Sequence, residues 1–278
     1  MQQLELADYS VNDPRSLFSC PMSDEDTSGR TDFGFRQVPE KEKAPLVRAI
    51  FDSVALRYDI MNDLMSAGIH RWWKSEMAAA LKPRSGQRLL DVAGGTGDIA
   101  LRVLPRLLGK GEAADAGAVV CDASAAMLEI GRGRALDQGI LAGIEWLCAD
   151  AERLPMADRS VDLYTIGFGL RNVTHIDRAL AEARRVLKPG GRFLCLEFTP
   201  EINPLLQPLY DFYSFQFVPF LGQVVTGDRD AYAYLVESIR RFPRQSELAE
   251  MIGGAGLDQV KFRNLTGGVA ALHSAWRL

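Results

Sequence analysis

The chain has 278 residues, 47% of them hydrophobic, and a formal net charge of −4. That is enough apolar mass for one large α/β domain or one domain plus an appendage, and the weak acidity without a long basic cluster argues against a nucleic-acid partner. No run approaches 18 uninterrupted apolar residues, and the N-terminus fits neither a secretory signal nor an acid-poor transit peptide, so a cytoplasmic protein is expected.

Residues 1–42 are polar and acidic, and the stretch S-D-E-D-T-S-G-R-T-D has no period and many breakers. A disordered or loosely packed extension is expected, adding nothing to the core, although Phe33 and Phe35 could anchor it. From about 44 to 82 the pattern turns helical, with Val47, Ile50, Phe51, Val54 and Ala55 on one apolar face. These helices precede the first predicted strand, which suits a lid over the sheet's carboxyl edge, where ligands of open α/β sheets bind. Tyr58, Asn62 and His70 fall in this lid, with helix capping and packing as the alternative reading.

The stretch L-L-D-V-A-G-G-T-G-D-I-A, residues 89–100, reads as a buried strand, a turn through Gly94, Gly95 and Gly97, and the start of a helix. This is the opening of a Rossmann-like unit, in which glycines allow a sharp turn and close approach to a ligand at the helix N-terminus. Gly95 to Ala100 also fits G-x-G-x-x-G/A, which keeps an NAD(P)-dependent oxidoreductase open.

A second strand, Gly117 to Ser124, carries Asp122, 25 residues past Gly97. An acid there suits the two hydroxyls of a ribose, or caps the helix that follows. A third strand, Ile144 to Cys148, leads to Asp150. A fourth, Val161 to Phe168, is followed by a helix, and Lys188–Gly191 breaks the chain before a fifth strand, R-F-L-C-L-E-F. Strands alternating with helices at this spacing predict a parallel sheet with helices on both faces. Residues 203–225 carry Tyr210, Phe212, Tyr213, Phe215, Phe217 and Phe220, expected to line an apolar pocket or touch a membrane surface, with ordinary core as the alternative. Two helices follow, then a hairpin-like pair of strands around Thr-Gly-Gly.

The four cysteines, Cys20, Cys121, Cys148 and Cys195, form no C-x-x-C pair, so no metal is expected. The last three sit in apolar runs and read as buried, reduced, structural thiols.

Asp91 before the glycines, the acids Asp122 and Asp150, K-P-G-G before the fifth strand and the closing strand pair together resemble the class I S-adenosylmethionine-dependent methyltransferases. The resemblance implies an α/β, Rossmann-like, seven-stranded and mostly parallel sheet, its last strand antiparallel, with helices on both faces. Further blocks sharpen it. Tyr58-Asp-x-Met-Asn62, Ser66, His70 and Trp73, then Phe168-Gly-Leu-Arg171-Asn172, Arg185-Val-Leu-Lys-Pro-Gly-Gly, Tyr234-Leu-Val-Glu-Ser-Ile-Arg240 and Asn264-Leu-Thr-Gly-Gly-Val are similar to the ubiquinone/menaquinone biosynthesis C-methyltransferases. The likeness runs from about Lys43 to Leu278. The chain departs from that family's pattern at Thr199, often Ser there, and at Gly167, where some members place a cofactor-contacting Ser.

The resemblance implies methyl transfer from S-adenosyl-L-methionine to a ring carbon of a polyprenylated hydroquinol. It further implies a peripheral membrane contact and a quinone-biosynthesis enzyme or a second copy as partner. An aromatic carbon is a weak nucleophile until a neighbouring ring hydroxyl loses its proton, so a general base is expected. By family resemblance, Arg171, Asn172 and Asp122 form a catalytic network activating water. Asp91, Gly94, Gly95, Thr96, Gly97, Asp122, Asp150 and Ala151 contact the cofactor, the backbone N–H of Ala151 reaching an adenine nitrogen. Tyr58, Asn62, His70 and Tyr232 face the substrate. Asp122 is claimed by both sets, and its strand-end position suits the ribose better. A non-catalytic, methyltransferase-like scaffold for quinone synthesis remains the other alternative.

Overall fold

The computed structural model describes residues 29–109, 116–202, 205, 207–225 and 227–278. It opens with an antiparallel hairpin, β1 (Arg30–Phe33) and β2 (Arg36–Pro39). Helix α1 (Glu40–Val54), a 3-10 turn, α2 (Tyr58–Ser66) and α3 (Ile69–Leu81) follow. The alternating part runs β3 (Arg88–Val92), α4 (Asp98–Leu108), β4 (Gly117–Asp122), α5 (Ala125–Asp137), β5 (Ile144–Cys148), β6 (Val161–Gly167), α6 (Ile176–Val186) and β7 (Leu187–Phe198). Then come α7 (Gln207–Phe212), a π-helical stretch at Tyr213–Phe217, α8 (Val218–Val225), α9 (Arg229–Arg241), α10 (Gln245–Gly254), β8 (Asp258–Leu265) and β9 (Ala270–Trp276).

Strands β3 to β9 form one sheet in the order β5-β4-β3-β6-β7-β9-β8, parallel throughout except for β9, which is antiparallel to both neighbours. This is the seven-stranded architecture that the class I resemblance implied. The period of two along each strand explains it. Leu90, Val92, Val119, Cys121, Tyr164 and Ile166 pack one face, with α6 and α10, while Leu89, Ala118, Val120 and Leu163 pack the other, with α3 and α4. Strands covered on both faces must be apolar at consecutive positions, hence the unbroken runs in the sequence.

Three expectations need correction. Lys188–Gly191 does not precede the strand but bulges out of it: β7 pairs with β6 on either side, Val161 opposite Leu187 and then Leu163 opposite Arg192. The bulge is held from the far end of the chain, where Gly190 N–H donates to Arg277 C=O at 2.6 Å and Arg277 N–H donates back to Gly191 C=O at 3.0 Å. Of the cysteines, Cys121 and Cys195 are free and buried, whereas Cys148 is half-buried and disulfide-bonded.

The third correction concerns the extension. Residues 1–28 lie outside the described residues, but 30–42 form the hairpin and the first turn of α1. Phe33 is 4% exposed and stacks on Tyr234 of α9, ring centroids 4.3 Å apart. Phe35 N–H donates to Glu237 Oε2 at 3.0 Å. The polarity of this stretch hid a single inward-facing aromatic, because each side of a four-residue strand presents only two residues and Phe33 shares its side with Thr31. Phe33→Ala is expected to lower stability by about 3 kcal/mol, the usual cost of emptying a buried aromatic site. Urea unfolding reads this, and an unchanged midpoint would show that the hairpin rides on the domain without supporting it.

Candidate active site

The strand order reverses between β3 and β6, because the chain leaves β3 toward β4 on one side and returns at β6 on the other. Crevices form outside the carboxyl ends of strands at such switch points. Here a cavity of about 180 Å³ opens between Ala93, Gly95, Asp122, Asp150, Ala151 and Phe168, roofed by Ala44, Val47, Arg48 and Phe51 of α1. A second cavity, of about 60 Å³, lies beside it among Phe51, Asn62, His70, Lys74, Phe168, Arg171, Phe198, Tyr232 and Tyr234. Phe51 and Phe168 are walls of both.

The loop after β3 is built for close approach. Gly97, at φ +76°, stands against the Trp146 ring, which a Cβ there would meet at 2.7 Å. Gly169 lies so near Ala93 that its own Cβ would fall 2.2 Å from the Ala93 Cβ. Ala93 (φ +50°) and Phe168 (φ +58°) both occupy the left-handed region that side chains avoid, and both line the first cavity. The two loops therefore hold each other in place.

Asp122 has both oxygens engaged by backbone: Oδ2 accepts from Gly95 N–H and Oδ1 from Ser124 N–H, each at 2.8 Å. The cap of α5 is Ser124, whose Oγ accepts from Met127 N–H, so Asp122 supports the cap without being it. Burial pushes the Asp122 carboxyl up to about 6, against the pull of those two N–H groups. Asp150 Oδ1 accepts from Glu152 N–H at 2.9 Å, while the backbone N–H of Ala151 donates to no described residue.

Asp91, Gly94, Thr96 and Gly97 line neither cavity. Asp91 points to the α3–α4 face, where strand register sets it opposite Thr165, whose Oγ1 donates to Asp91 Oδ1 at 2.7 Å. Its Oδ2 is buried without a hydrogen bond, and the Thr165 hydroxyl, the Ala100 N–H and the Lys74 ammonium favour its charge. Burial pushes this carboxyl up to about 7. Thr96 accepts from Arg134 Nη1 at 3.1 Å, on the α5 side of the loop. At Gly167 a Cβ would meet Ile99 Cδ1 at 2.8 Å, so the space of a serine side chain is filled here by Ile99.

Arg171 and Asn172 sit in a 3-10 turn after β6 but serve different walls, Arg171 in the second cavity and Asn172 in the first. Arg171 is buried, and its Nη1 donates to Glu197 Oε1 at 2.9 Å and to the Phe168 carbonyl. The guanidinium lies 5.6 Å from the centroid of the Phe198 ring. Tyr234 O–H donates to Asn172 Oδ1 at 3.2 Å, a bond between groups of the two cavities. No direct hydrogen bond joins Asp122 to Arg171 or Asn172 among the described residues, so the expected network is not drawn together.

Asn62, His70 and Tyr232 all line the second cavity. Tyr58 opens α2, and its side chain lies outside the described residues. Trp73 docks α3 on the sheet edge through Phe168 and Phe198, at centroid distances of 6.0 and 5.8 Å. The aromatic run itself lines neither cavity. Tyr213 joins the cluster of Val54, Met61 and Val218, while Phe212 and Phe220 are 68% and 63% exposed. It is α9, through Tyr232 and Tyr234, that faces the second cavity. Glu197 carries no signal in the sequence, being one acid inside an apolar strand, and the roofing residues Glu40 and Lys41 fall in the polar stretch that reads as an extension.

A doubly wound sheet with its crevice at the switch point is the architecture of class I methyltransferases. A crystal structure of a SAM-dependent methyltransferase from Aquifex aeolicus shares it, at a TM-score of 0.53 and 15% identity, covering 74% of this chain and 89% of that one. So does the [4+2]-cyclase SpnF, at 0.59 and 17% over 83% and 94%, so the fold by itself does not fix the reaction. The sequence goes further. The model of the ubiE/COQ5 methyltransferase family matches residues 36–277, and the chain belongs to that family. The ubiquinone/menaquinone biosynthesis C-methyltransferase UbiE of Dinoroseobacter shibae is 58% identical over 91% of this chain and 99% of its own length. The mitochondrial 2-methoxy-6-polyprenyl-1,4-benzoquinol methylase of Danio rerio is 50% identical, over 91% and 86%. These relatives support methyl transfer and not the nicotinamide or scaffold readings.

Two stability predictions follow from the buried charges. The Asp91 carboxyl titrates higher in the fold than in the unfolded chain, so its contribution is fully present below about pH 4 and lost as pH rises toward 7. Asp91→Asn should therefore gain on the native chain across that window, by a few kcal/mol at pH 8. Denaturant midpoints measured from pH 4 to 8 check this, and parallel curves would contradict it. Arg171→Met leaves Glu197 charged and buried and should cost about 3–5 kcal/mol, most of it recovered on adding Glu197→Gln. A native midpoint for the single variant would show the pair to be incidental.

Proposed function

We propose that the chain transfers the methyl group of S-adenosyl-L-methionine to a ring carbon of a polyprenylated hydroquinol, as in ubiquinone and menaquinone biosynthesis. The observation that carries this reading is the junction of two cavities at Phe51 and Phe168. Methyl transfer needs donor and acceptor in line across a short, dry boundary, and two apolar rings are such a boundary.

The first cavity fits the donor. A glycine turn lets backbone approach it, the Asp122 carboxylate stands where a ribose would lie, and the Ala151 N–H is free for an adenine nitrogen. When bound, the donor supplies an electrophilic methyl group on a sulfonium. Asp91, Gly94, Thr96 and Gly97 act from behind, shaping the loop. The second cavity fits a hydroquinol ring: Phe51, Phe168 and Phe198 offer ring faces, and Asn62, Tyr232 and Tyr234 offer polar contacts to ring oxygens. Arg171, held by Glu197, positions that wall and lends positive charge to a ring oxygen losing its proton. At about 60 Å³ the cavity does not house a polyprenyl chain. The chain would leave along α2 and α8, where exposed Ile60, Leu64, Phe220 and Val224 give an apolar surface for peripheral membrane contact. No described helix is long and apolar enough to cross a membrane.

The test is purified protein with donor and either a 2-polyprenyl-6-methoxy-1,4-benzoquinol or a demethylmenaquinol of short tail, products identified by mass. One added methyl on a ring carbon is expected, and no product from either quinol would refute the acceptor assignment. Asp122→Ala should weaken donor binding by about 1.5–3 kcal/mol, the loss of charge-assisted hydrogen bonds. Calorimetry with donor alone reads this, and unchanged affinity would remove Asp122 from the ribose site.

A further inference from the structure

The acceptor side needs a base, and the second cavity offers few. No carboxylate lines it. Lys74 is paired with Asp98 at 2.9 Å, and Arg171 with Glu197. The Tyr234 hydroxyl, pushed up to about 12 by burial, keeps its proton and donates it to Asn172.

His70 differs because its tautomer is set by a chain of hydrogen bonds. The Ser66 O–H donates to the Asn62 carbonyl at 2.6 Å. That spends the only proton Ser66 has, so at its 2.8 Å contact with His70 Nδ1 the oxygen can only accept. Nδ1 therefore carries the ring proton, and Nε2 carries the free lone pair. The nearest charged oxygen to Nε2 is Asp63 Oδ1, at 3.8 Å, an acceptor that offers neutral imidazole nothing but attracts it once protonated. Asp63 is itself fixed by Arg71, whose Nε donates to it at 2.6 Å. All of this hangs on the turn from α2 to α3, where Ala67 and Gly68 adopt left-handed conformations that bring Asn62, Asp63 and Ser66 against the first residues of α3.

We infer that His70 Nε2 is the general base that takes the proton from the ring hydroxyl of the acceptor. The inference rests on the proposed hydroquinol reading. In the step, the hydroxyl proton passes to Nε2 and its O–H electron pair moves into the ring. The ring carbon bonds to the methyl carbon, and the methyl–sulfur bond breaks with its pair left on sulfur. The ring carbon then loses its hydrogen as a proton to water, and Nε2 returns its proton to the ring oxygen, leaving the methylated hydroquinol and a neutral His70. The groups facing the imidazole balance: burial, Lys74 and Arg71 lower its proton affinity, while Asp63 and Asp98 raise it, with a net lowering that keeps it neutral and able to accept at pH 7.

The first test needs no ligand. The chain has three histidines, so nitrogen-15 spectra of the native protein, assigned by omission in His175→Gln and His273→Gln, give the tautomer of His70 directly. Protonated Nδ1 is expected, and protonated Nε2 overturns the inference. The second test uses His70→Gln with donor and short-tail hydroquinol. Donor affinity should be unchanged by calorimetry, and turnover at pH 7 should fall by about two to three orders of magnitude. The native rate should level off above the His70 titration, whereas the variant's should keep climbing toward the phenol range, near pH 10. A near-native rate, or an equal loss at every pH, overturns the base role. If His70→Gln does not fold, the native profile decides: a rate that climbs to the phenol range without a plateau overturns it. A native chain that binds donor yet methylates neither quinol sinks the acceptor reading and this inference with it, whereas native turnover with a near-native His70→Gln sinks the inference alone.

Discussion

The mutual approach of two loops governs the site. Gly169, after β6, leaves room for Ala93, after β3, to come closer than any side chain at 169 would permit. Both loops carry a non-glycine residue at positive φ, a conformation that persists only where surroundings over-determine it. Each loop supplies that surrounding for the other. Phe168, turned by this geometry, becomes the wall between two cavities, and the 3-10 turn that follows sends Arg171 to one and Asn172 to the other.

The lid is fastened to this frame by polar as well as apolar contacts. Lys43 Nζ donates to the Val173 carbonyl at 2.9 Å, and His175 lies between Glu152, at 2.8 Å, and Glu40, at 3.3 Å. These tie α1 to the loop beyond β6 at one end of the first cavity. At the other end, Trp73 Nε1–H donates to Thr266 Oγ1 at 2.9 Å, tying α3 to the turn between β8 and β9. The roof over the first cavity and the wall of the second thus belong to one helical layer, and displacing it would open both together.

Much of this was legible in the sequence, because strands buried on both faces write themselves as apolar runs and a glycine-rich turn after the first of them is a strong local sign. Of the residues that the resemblance assigns to the cofactor, Asp122, Asp150 and Ala151 line the first cavity. Asp91 and Thr96 line neither cavity, because a strand's alternation sends Asp91 to the helix-covered face, and a glycine motif does not say which of its residues look outward. Glu197 was invisible for a related reason: a single acid in R-F-L-C-L-E-F reveals neither its face nor that Arg171 waits there. The aromatic run lines neither cavity, so of the readings its density allows it leaves core packing at Tyr213 and an exposed apolar surface at Phe212 and Phe220. Rings every few residues on short helices must point several ways, and only α9 had a cavity to point into.

The place of β9 bears on how the molecule comes into being. It follows β8 in the chain yet lies between β7 and β8. While a nascent chain lacks it, β7 presents an unpaired, apolar edge, and β8 has no neighbour. Open edges of this kind pair with other chains. During synthesis the sheet thus stays open at β7 until the strand that closes it, β9, has left the ribosome.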